Sequence, residues 1–405
     1  MTKRLWSCAG AALLLCSTAG AAAPPRSSAP APVPPPFQGA YQPQGVDEIG
    51  LWRDDDEYER ALAASPLVIR DEKLNAYLRD VLCRTVGDDR CQAARIYVLR
   101  EPTFNATMSP NGTMRVYSGL LLRVRNEAEL ASVLGHEFGH FEKRHGLAGY
   151  KRARTGSDIL AWGQLLVSMA SSFSVQSAMS SVELAVYGTF FRYGREQERE
   201  ADLLGIGYLN HSAMRPQAAS QVWQNLMGEF EASASHRGLK KPKFDAIAFT
   251  ASHPPEAERA GYLAALAAPD AAARDDGAER YRTALASWQP VFLDDQVKLN
   301  DFGATEYIIT GLAKQRWTPG LWFARGELYR TRGHPRDFVH AVEFYNNAIQ
   351  LDASHAAAHR GLGLALIKSG RRSEGQAALQ RYLELHPQAD DAKMIRMMIP
   401  QGENL

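Results

Sequence analysis

Two histidines and a glutamate follow the spacing of a metal-binding helix. His136, Glu137 and His140 stand in the run HEFGH, so the two imidazoles are four residues apart and project from one face of an α-helix. Glu137 lies about 100° around the helix from His136, which places its carboxylate beside a metal-bound water, where a general base is needed. The motif therefore predicts one Zn²⁺ per chain, held by His136 and His140, and a hydrolytic reaction with Glu137 as the base.

The third ligand decides the class of zinc peptidase. A metzincin would have Gly at position 143 and His at 146, but Lys143 and Gly146 stand there, so that class is excluded. A gluzincin instead takes a Glu from a second helix. In the run 196–202, Glu198 and Asp202 are one turn apart and face the same way, so Glu198 can bind zinc while Asp202 accepts an imidazole N–H from a ligand histidine. The other acidic side chains of that run are expected to be solvated charges: Glu196 and Glu200.

The helix that carries the HEFGH motif has recognisable ends. Asn126 is a good N-cap, and Glu129 three residues later gives the spacing of a capping box. The helix is expected to run to about His145 and to stop at Gly146, a residue type that often follows a helix C-terminus. His145 is then most simply a cation that faces the helix dipole.

The segments before this helix predict two helices and a small sheet. The apolar spacing predicts helices over 54–64 and 70–83. Three strand candidates follow at 94–100, 103–108 and 113–118, and the turn residues Ser-Pro-Asn-Gly at 109–112 join the last two. An extended substrate could add as a strand to an edge of this strand pair. A further helix is expected over roughly 195–210.

Composition limits the classes of protein that the chain can belong to. Its 405 residues are 45% hydrophobic and 22% charged, which is ordinary for a globular protein and excludes a wholly disordered chain and a multi-span membrane protein. The formal net charge of +1 gives no electrostatic reason to propose nucleic acid as a partner.

The N-terminus has the features of an exported protein. Residues 1–23 combine two basic residues, a short apolar stretch and small residues, which predicts a signal peptide cleaved near 21–23. A lipoprotein signal at Cys16 is the alternative, although Leu15 stands where a small residue is expected. Export leaves Cys83 and Cys91, whose even number predicts a disulfide; two buried free thiols are the alternative.

Composition also divides the rest of the chain. Residues 24–45 hold eight prolines and are expected to be a linker that is extended, disordered or in the polyproline II conformation, before ordered sequence begins near Val46. Residues 158–192 are unusually apolar; buried or membrane-facing lid helices are favoured over a transmembrane helix, because the first apolar run is short and contains polar residues. The expected domains are a protease domain over 46–270, a helical connector over 271–317 and repeats over 318–400.

The last third of the chain follows the tetratricopeptide pattern. Its two glycines Gly326 and Gly363 are 37 residues apart, close to the 34-residue period of that repeat, and a segment over 295–315 could be a degenerate preceding helix. An unrelated bundle of helical hairpins is the alternative. Two units supply the matching residues: Trp322, Gly326, Tyr329, Tyr345 and Ala348, then Leu362, Gly363, Leu379, Tyr382 and Pro387.

Together these runs carry a family resemblance. HEFGH on its capped helix, GREQEREAD at 194–202 and SHPPEAER at 252–259 resemble the HtpX and CAAX-prenyl-protease type of gluzincin, over about residues 50–265. The resemblance implies an α+β, mainly helical fold, with a metalloprotease domain and a small sheet followed by α-helical tetratricopeptide repeats. It implies that Glu198 is the third zinc ligand and Asp202 its partner. It also implies that His253 can occupy the open zinc position. Without the resemblance, the sequence favours a structural role for His253, as a loop histidine before two prolines. Arg259 is implied to be a buried ion-pair partner or a stabiliser of the oxyanion.

The combination of export signal, protease and repeats resembles envelope proteases that act on outer-membrane protein assembly. The expected function is a zinc endopeptidase of the periplasm, associated with the outer membrane, that cleaves unfolded or misassembled envelope proteins. The repeats would recruit substrate or the barrel assembly machinery, and residues 158–192 would contact the membrane peripherally. One alternative is a repeat-based chaperone or scaffold with a latent zinc site. A membrane-embedded CAAX-like protease is another, against which the cleavable signal argues.

Overall fold

The computed structural model describes residues 32–155, 193–242, 244, 256–269 and 273–399. Three features expected from the sequence lie outside these residues: the signal peptide, the apolar segment 158–192 and the loop with His253. Within the described ranges, no helix is both long enough and apolar enough to cross a membrane.

The described residues form seventeen helices and one small sheet, so the expectation of a mainly helical α+β fold is confirmed. The first part contains α1 (Gly45–Ala64), α2 (Glu72–Val86), α3 (Asp88–Cys91), β1 (Arg95–Leu99), β2 (Ala106–Met108), β3 (Thr113–Tyr117), α4 (Ser118–Arg123), α5 (Glu127–Glu142), α6 (His145–Thr155), α7 (Arg195–His211), α8 (Ala218–His236) and α9 (Glu256–Leu266). The second part contains α10 (Ala278–Leu285), α11 (Gln289–Lys298), α12 (Phe302–Leu312), α13 (Pro319–Arg332), α14 (Pro335–Leu351), α15 (Ala356–Lys368), α16 (Arg372–Leu385) and α17 (Ala392–Met398).

The sheet has three strands in the order β1-β3-β2. Strand β1 pairs with β3 in parallel, with Arg95 opposite Thr113, and β2 pairs with β3 antiparallel, with Thr107 opposite Arg115. Gly112 makes the turn between β2 and β3 at φ 94°, where a Cβ would lie 2.2 Å from the carbonyl oxygen of Ala93. The short strand β2 therefore forms one edge of the sheet, and it packs against α5.

Helix α5, which carries the HEFGH motif, lies at the centre of the core. Its N-terminus is capped as expected, because the Asn126 side chain accepts the Glu129 N–H at 2.8 Å. Helices α2, α7 and α8 surround it, so its apolar residues are buried around most of its circumference. Among the fully buried residues of this core are Leu78, Leu82, Leu130, Leu134, Phe138 and Leu209.

Glycines set the distance between α5 and α7. A Cβ on Gly205 of α7 would lie 3.1 Å from the backbone nitrogen of His136, and a Cβ on Gly139 of α5 would lie 3.0 Å from the carbonyl oxygen of Ala201. Such contacts are tighter than ordinary van der Waals distances, so the two helices can approach this closely only where glycine leaves room. The close approach brings the side chains of α7 onto the histidines of α5.

Cys83 and Cys91 form the predicted disulfide. Cys83 near the end of α2 is bonded to Cys91 at the end of α3, with their Cα atoms 4.9 Å apart. The bond joins two residues that are eight positions apart and links the short helix α3 covalently to α2.

Residues 32–44 form no helix or strand, and part of this proline-rich segment packs on the core. The ring of Phe37 lies 6.4 Å from that of Phe138, and the Pro35 carbonyl accepts a hydrogen bond from Arg90. The segment thus supplies an aromatic ring to Phe138 and a carbonyl oxygen to Arg90. The first helix also begins earlier than predicted, at Gly45.

The C-terminal helices form the expected hairpins. Gly326 of α13 packs against the ring of Tyr345 of α14, and Gly363 of α15 packs against Leu379 of α16, so small residues stand where the helices cross. Helix α13 also contributes to the same core as α5, through apolar residues that include Leu321. The repeats therefore pack directly on the rest of the chain.

Candidate metal centre

Three buried side chains converge between α5 and α7. The Nε2 atoms of His136 and His140 lie 3.0 Å apart, and each is 3.5 Å from a carboxylate oxygen of Glu198. Ligand atoms of all three lie within 4.8 Å of one another. Two imidazole nitrogens and one carboxylate are a donor set that catalytic zinc takes in proteins, and burial of such groups is costly unless they share a partner. These residues therefore fit a zinc ion.

Asp202 of α7 and Arg259 of α9 lie next to this centre. His136 Nδ1 is 2.8 Å from Asp202 Oδ1. Arg259 binds both oxygens of Asp202, through Nε at 2.8 Å and Nη2 at 2.6 Å, and its Nη1 lies 3.2 Å from Glu198. Tyr262, one turn after Arg259, donates its hydroxyl to Asp202 as well. The buried negative charges of the site are thus matched by one buried arginine.

These contacts set the charge of Asp202. Burial favours the neutral carboxyl, but Arg259 and His136 outweigh burial and lower the pKa of Asp202 to about 2. Burial likewise disfavours a charged His136 ring, but the charge of Asp202 prevails and raises the pKa of His136 to about 9. Asp202 therefore stays ionised and accepts the hydrogen on His136 Nδ1. A metal on Nε2 would replace the second proton of the ring.

Glu137 follows the candidate ligand His136 on α5, and the two residues line one cavity. Glu137 is buried, with 3% of its surface exposed, and the cavity that it lines is mainly apolar. Residues 104–106, at the start of the edge strand β2, form another wall of this cavity. Apolar side chains from α5, α8 and α9 complete the lining: Val133, Val222, Trp223 and Leu263. A substrate chain at this edge would meet Glu137 and the metal position together.

Tyr193 is a site residue that sequence reasoning missed. Its ring stacks on His140, with centroids 3.8 Å apart and planes 17° from parallel. Burial raises the pKa of its hydroxyl well above the usual value, and the charges of Glu137 and Glu198 raise it further. The only signal in the sequence is its position directly before Gly194, where the run GREQEREAD begins.

His145 is not the helix C-terminal cation that the sequence predicted. Helix α5 ends at Glu142, and Arg144 takes a left-handed conformation at φ 57°, so His145 begins α6 instead of ending α5. The turn is made by Arg144, and the predicted stop at Gly146 is wrong. His145 is buried, and burial lowers its pKa.

His145 instead connects the metal centre with the surface. Its Nδ1 lies 2.9 Å from Nδ1 of His140, and its Nε2 lies 2.9 Å from a carboxylate oxygen of Glu200. Glu200 is about half exposed, as expected for a solvated charge, but it bonds to this buried histidine. Glu196, predicted to be solvated as well, is exposed.

Comparison with known families supports a peptidase domain and a repeat region. Residues 69–267 match the model of peptidase family M48, which includes the three candidate ligands, Glu137 and Asp202. Residues 336–397 match a tetratricopeptide repeat model, so the repeat interpretation of the last third is confirmed.

Curated relatives agree with this division. The chain is similar to the beta-barrel assembly-enhancing protease of Escherichia coli, with 28% identity over 180 residues, which are 43% of this chain and 37% of that protein. It is also similar to the mitochondrial metalloendopeptidase OMA1 of Schizosaccharomyces pombe, with 29% identity over 40% of this chain and 44% of that protein. The metalloprotease YcaL of Escherichia coli is 33% identical over 39% of this chain and 56% of its own length. The chain thus spans 37% to 56% of the length of these relatives.

Proposed function

We propose that this chain is a zinc metalloendopeptidase, because residues 69–267 match the model of peptidase family M48 and residues 336–397 match a tetratricopeptide repeat model. Its substrates are unfolded or misassembled proteins of the bacterial envelope. The observation that carries the proposal is the buried set of His136, His140 and Glu198 beside Glu137, which has the donors of a catalytic zinc site and a base next to them.

The proposed reaction assigns roles to five side chains. Zinc held by His136, His140 and Glu198 would supply a Lewis acid that polarises the peptide carbonyl and makes a water acidic. Glu137 accepts the proton of that water and later returns it to the leaving amine. Tyr193, which stacks on His140, keeps that ring in place and limits the access of bulk water to it.

The edge strand β2 supports a substrate that binds in extended form. Asn105 accepts a hydrogen bond from Tyr117 N–H, and Ser109 N–H donates to Thr113, so these alternate residues face β3. By the alternation of antiparallel strands, the backbone groups of Ala106 and Met108 face away from β3. A substrate strand that pairs there would be read by its backbone, which suits unfolded chains of many sequences.

A second cavity supports a role of the C-terminal helices in substrate recruitment. It has a volume of about 1010 Å³ and lies between the N-terminus of α5, α8 and the helices from α10 to α13. Asn126 and Glu129, at the start of α5, line it from the protease side. Amide side chains, which can bond to peptide groups of any sequence, line it elsewhere: Gln221, Gln224, Asn225, Gln289 and Gln315.

The cellular setting is part of the proposal. The signal peptide expected over 1–23 places the mature chain in the periplasm, where the disulfide between Cys83 and Cys91 is stable. A relative is named for enhancing beta-barrel assembly, which supports outer-membrane proteins as substrates and the barrel assembly machinery as a partner of the repeats. Peripheral membrane contact through 158–192 and restraint of the zinc by His253 belong to the same proposal.

The test is proteolysis of an unfolded outer-membrane protein by purified mature protein. We expect cleavage that stops with a chelator and returns with Zn²⁺. Glu137→Gln should keep its zinc and fold, yet lose at least about a hundredfold in rate, the scale of a missing general base. If wild-type protein prevents aggregation of the substrate but never cleaves it, the alternative of a repeat-based chaperone with a latent site is correct.

A further inference from the structure

The two candidate histidine ligands are supported in different ways. His136 Nδ1 lies 2.8 Å from Asp202, a buried carboxylate that Arg259 neutralises. His140 is supported by a different kind of partner. Its Nδ1 lies 2.9 Å from another imidazole, that of His145. Nε2 of His145 in turn lies 2.9 Å from a carboxylate oxygen of Glu200.

A metal at the centre fixes the direction of this chain of hydrogen bonds. If Nε2 of His140 binds the metal, the hydrogen of the neutral ring must be on Nδ1. That N–H can only donate, so Nδ1 of His145 accepts it and His145 carries its own hydrogen on Nε2. That hydrogen is then donated to the Glu200 carboxylate. Each ring in the chain therefore has one tautomer that satisfies both of its nitrogens.

The backbone around His145 holds its ring in this position. Arg144, directly before it, has φ 57°, a left-handed conformation that is unfavourable for a residue with a side chain. This turn starts α6 immediately after α5 and directs His145 back under His140. The Arg144 guanidinium lies 4.2 Å from the centre of the Tyr41 ring, so the packed N-terminal segment supports the turn. His145 is 3% exposed, which leaves its ring little freedom.

We infer that His145 is a positioning residue of the metal centre, which fixes the ring orientation and tautomer of His140, and that the exposed Glu200 fixes His145 in turn. The inference rests on the proposed function only in that the site must bind zinc. Outer partners of ligand histidines generally raise metal affinity by about 10- to 100-fold. Zinc affinity would therefore depend on a surface carboxylate that touches no ligand directly.

The test measures the affinity of the mature, disulfide-bonded protein for Zn²⁺ by competition with a chromophoric chelator. His145→Leu, which removes the acceptor, should weaken binding about 10- to 100-fold. His145→Asn, whose side-chain carbonyl can accept from His140 Nδ1, should recover most of the affinity. Glu200→Ala should weaken binding several-fold. Glu196→Ala removes an exposed acidic side chain from the same helix and should leave the affinity unchanged.

Three results would overturn the inference. One is wild-type affinity in both His145→Leu and Glu200→Ala. Another is equal weakening by Glu200→Ala and Glu196→Ala, which would mean that only the net charge of α7 matters. If wild-type protein itself does not bind Zn²⁺, the proposed function fails and the inference fails with it. If His145→Leu does not fold, Glu200→Ala decides, because that residue lies at the surface.

Discussion

Arg259 forms a bidentate ion pair with Asp202, through Nε at 2.8 Å and Nη2 at 2.6 Å, in a part of the protein where both side chains are 3% exposed. The same guanidinium lies 3.2 Å from Glu198 and stacks over the ring of Trp223, 4.0 Å from its centre. The family resemblance gave Arg259 two possible roles, a buried ion-pair partner or a stabiliser of the oxyanion. Its contacts in the structure are those of a buried ion-pair partner. Its single positive charge lies beside two buried carboxylates at the metal position.

Replacement of Arg259 by Met should therefore destabilise the protein strongly. It would leave Asp202 and Glu198 buried without their counter-charge, and breaking a buried pair on one side typically costs about 3–5 kcal/mol. The measurement is urea unfolding of the metal-free protein. Arg195→Met, which removes an exposed arginine of α7, is the matched control and should cost less than about 0.5 kcal/mol. A loss below about 1 kcal/mol in Arg259→Met would contradict this role.

Removal of Glu198 should empty the zinc site. Glu198 lies 3.5 Å from each histidine nitrogen, whereas Glu200 on the same helix contacts His145. We expect Glu198→Ala to retain less than about a tenth of the wild-type zinc, because two imidazoles alone make an incomplete site. The measurement is metal content after dialysis, with circular dichroism to check the fold. Full zinc content in Glu198→Ala would require a different third ligand.

Stability should depend on pH through Glu129, at the start of α5. Burial raises the pKa of this carboxyl to about 7, although its oxygen accepts the Arg125 N–H at 2.8 Å. As pH rises from about 4.5 to 7, the unfolded chain releases this proton while the folded chain retains it, so the stabilisation is lost across that range. The shift corresponds to about 3 kcal/mol. Glu129→Gln should therefore gain stability relative to wild type as pH rises from 4.5 to 7.

Glu127, two residues earlier, is the matched control because its pKa is shifted in the opposite direction. Burial tends to raise its pKa, but Arg280 and Arg84, which lie 2.6 and 3.2 Å away, lower it below the usual value. Glu127→Gln should lose stability relative to wild type at neutral pH, and that difference should shrink as pH falls through the carboxyl range. Unfolding free energies at several pH values measure both variants. Parallel pH curves for Glu129→Gln and wild type would contradict the raised pKa.

The metal site was predictable because its residues follow helical spacing. His136 and His140 are one turn apart on α5, and Glu198 and Asp202 are one turn apart on α7, so periodicity alone gives the face that each side chain occupies. The position of Arg259 beside Asp202 was not predictable in this way. It depends on how α9 packs on α7, which is a tertiary contact between residues 57 positions apart.

The turn after α5 was mispredicted for a specific reason. Sequence rules favour glycine in a left-handed position after a helix, which pointed to Gly146. The structure uses Arg144 there instead, because this earlier turn allows His145 to bond with His140 and the guanidinium to stack on Tyr41. Tyr41 is far from the turn in sequence, and the contact between His145 and His140 depends on the direction in which α6 leaves the turn, so local propensity could not reveal either. Strain of this kind is typical of functional sites.

The glycines between α5 and α7 provide the last prediction. A Cβ on Gly205 would lie 3.1 Å from the backbone nitrogen of His136 and 3.3 Å from its Cα, and these are backbone atoms that cannot rotate away. Gly205→Ala should therefore push the helices apart at a ligand histidine. Overpacking of this kind costs about 1–3 kcal/mol, which exceeds the gain of up to about 1 kcal/mol that alanine brings to a helix.

Gly261→Ala separates the cost of overpacking from the gain in helix propensity. Gly261 is an exposed residue of the site helix α9, and a Cβ there would meet nothing within 4 Å, so this substitution should stabilise the protein by up to about 1 kcal/mol. Unfolding and zinc affinity would be measured together. Gly205→Ala should lose both stability and affinity, since displacement of His136 enlarges the distance to Glu198 across the metal position. If Gly205→Ala behaves like Gly261→Ala, the close approach of the two helices does not determine the geometry of the site.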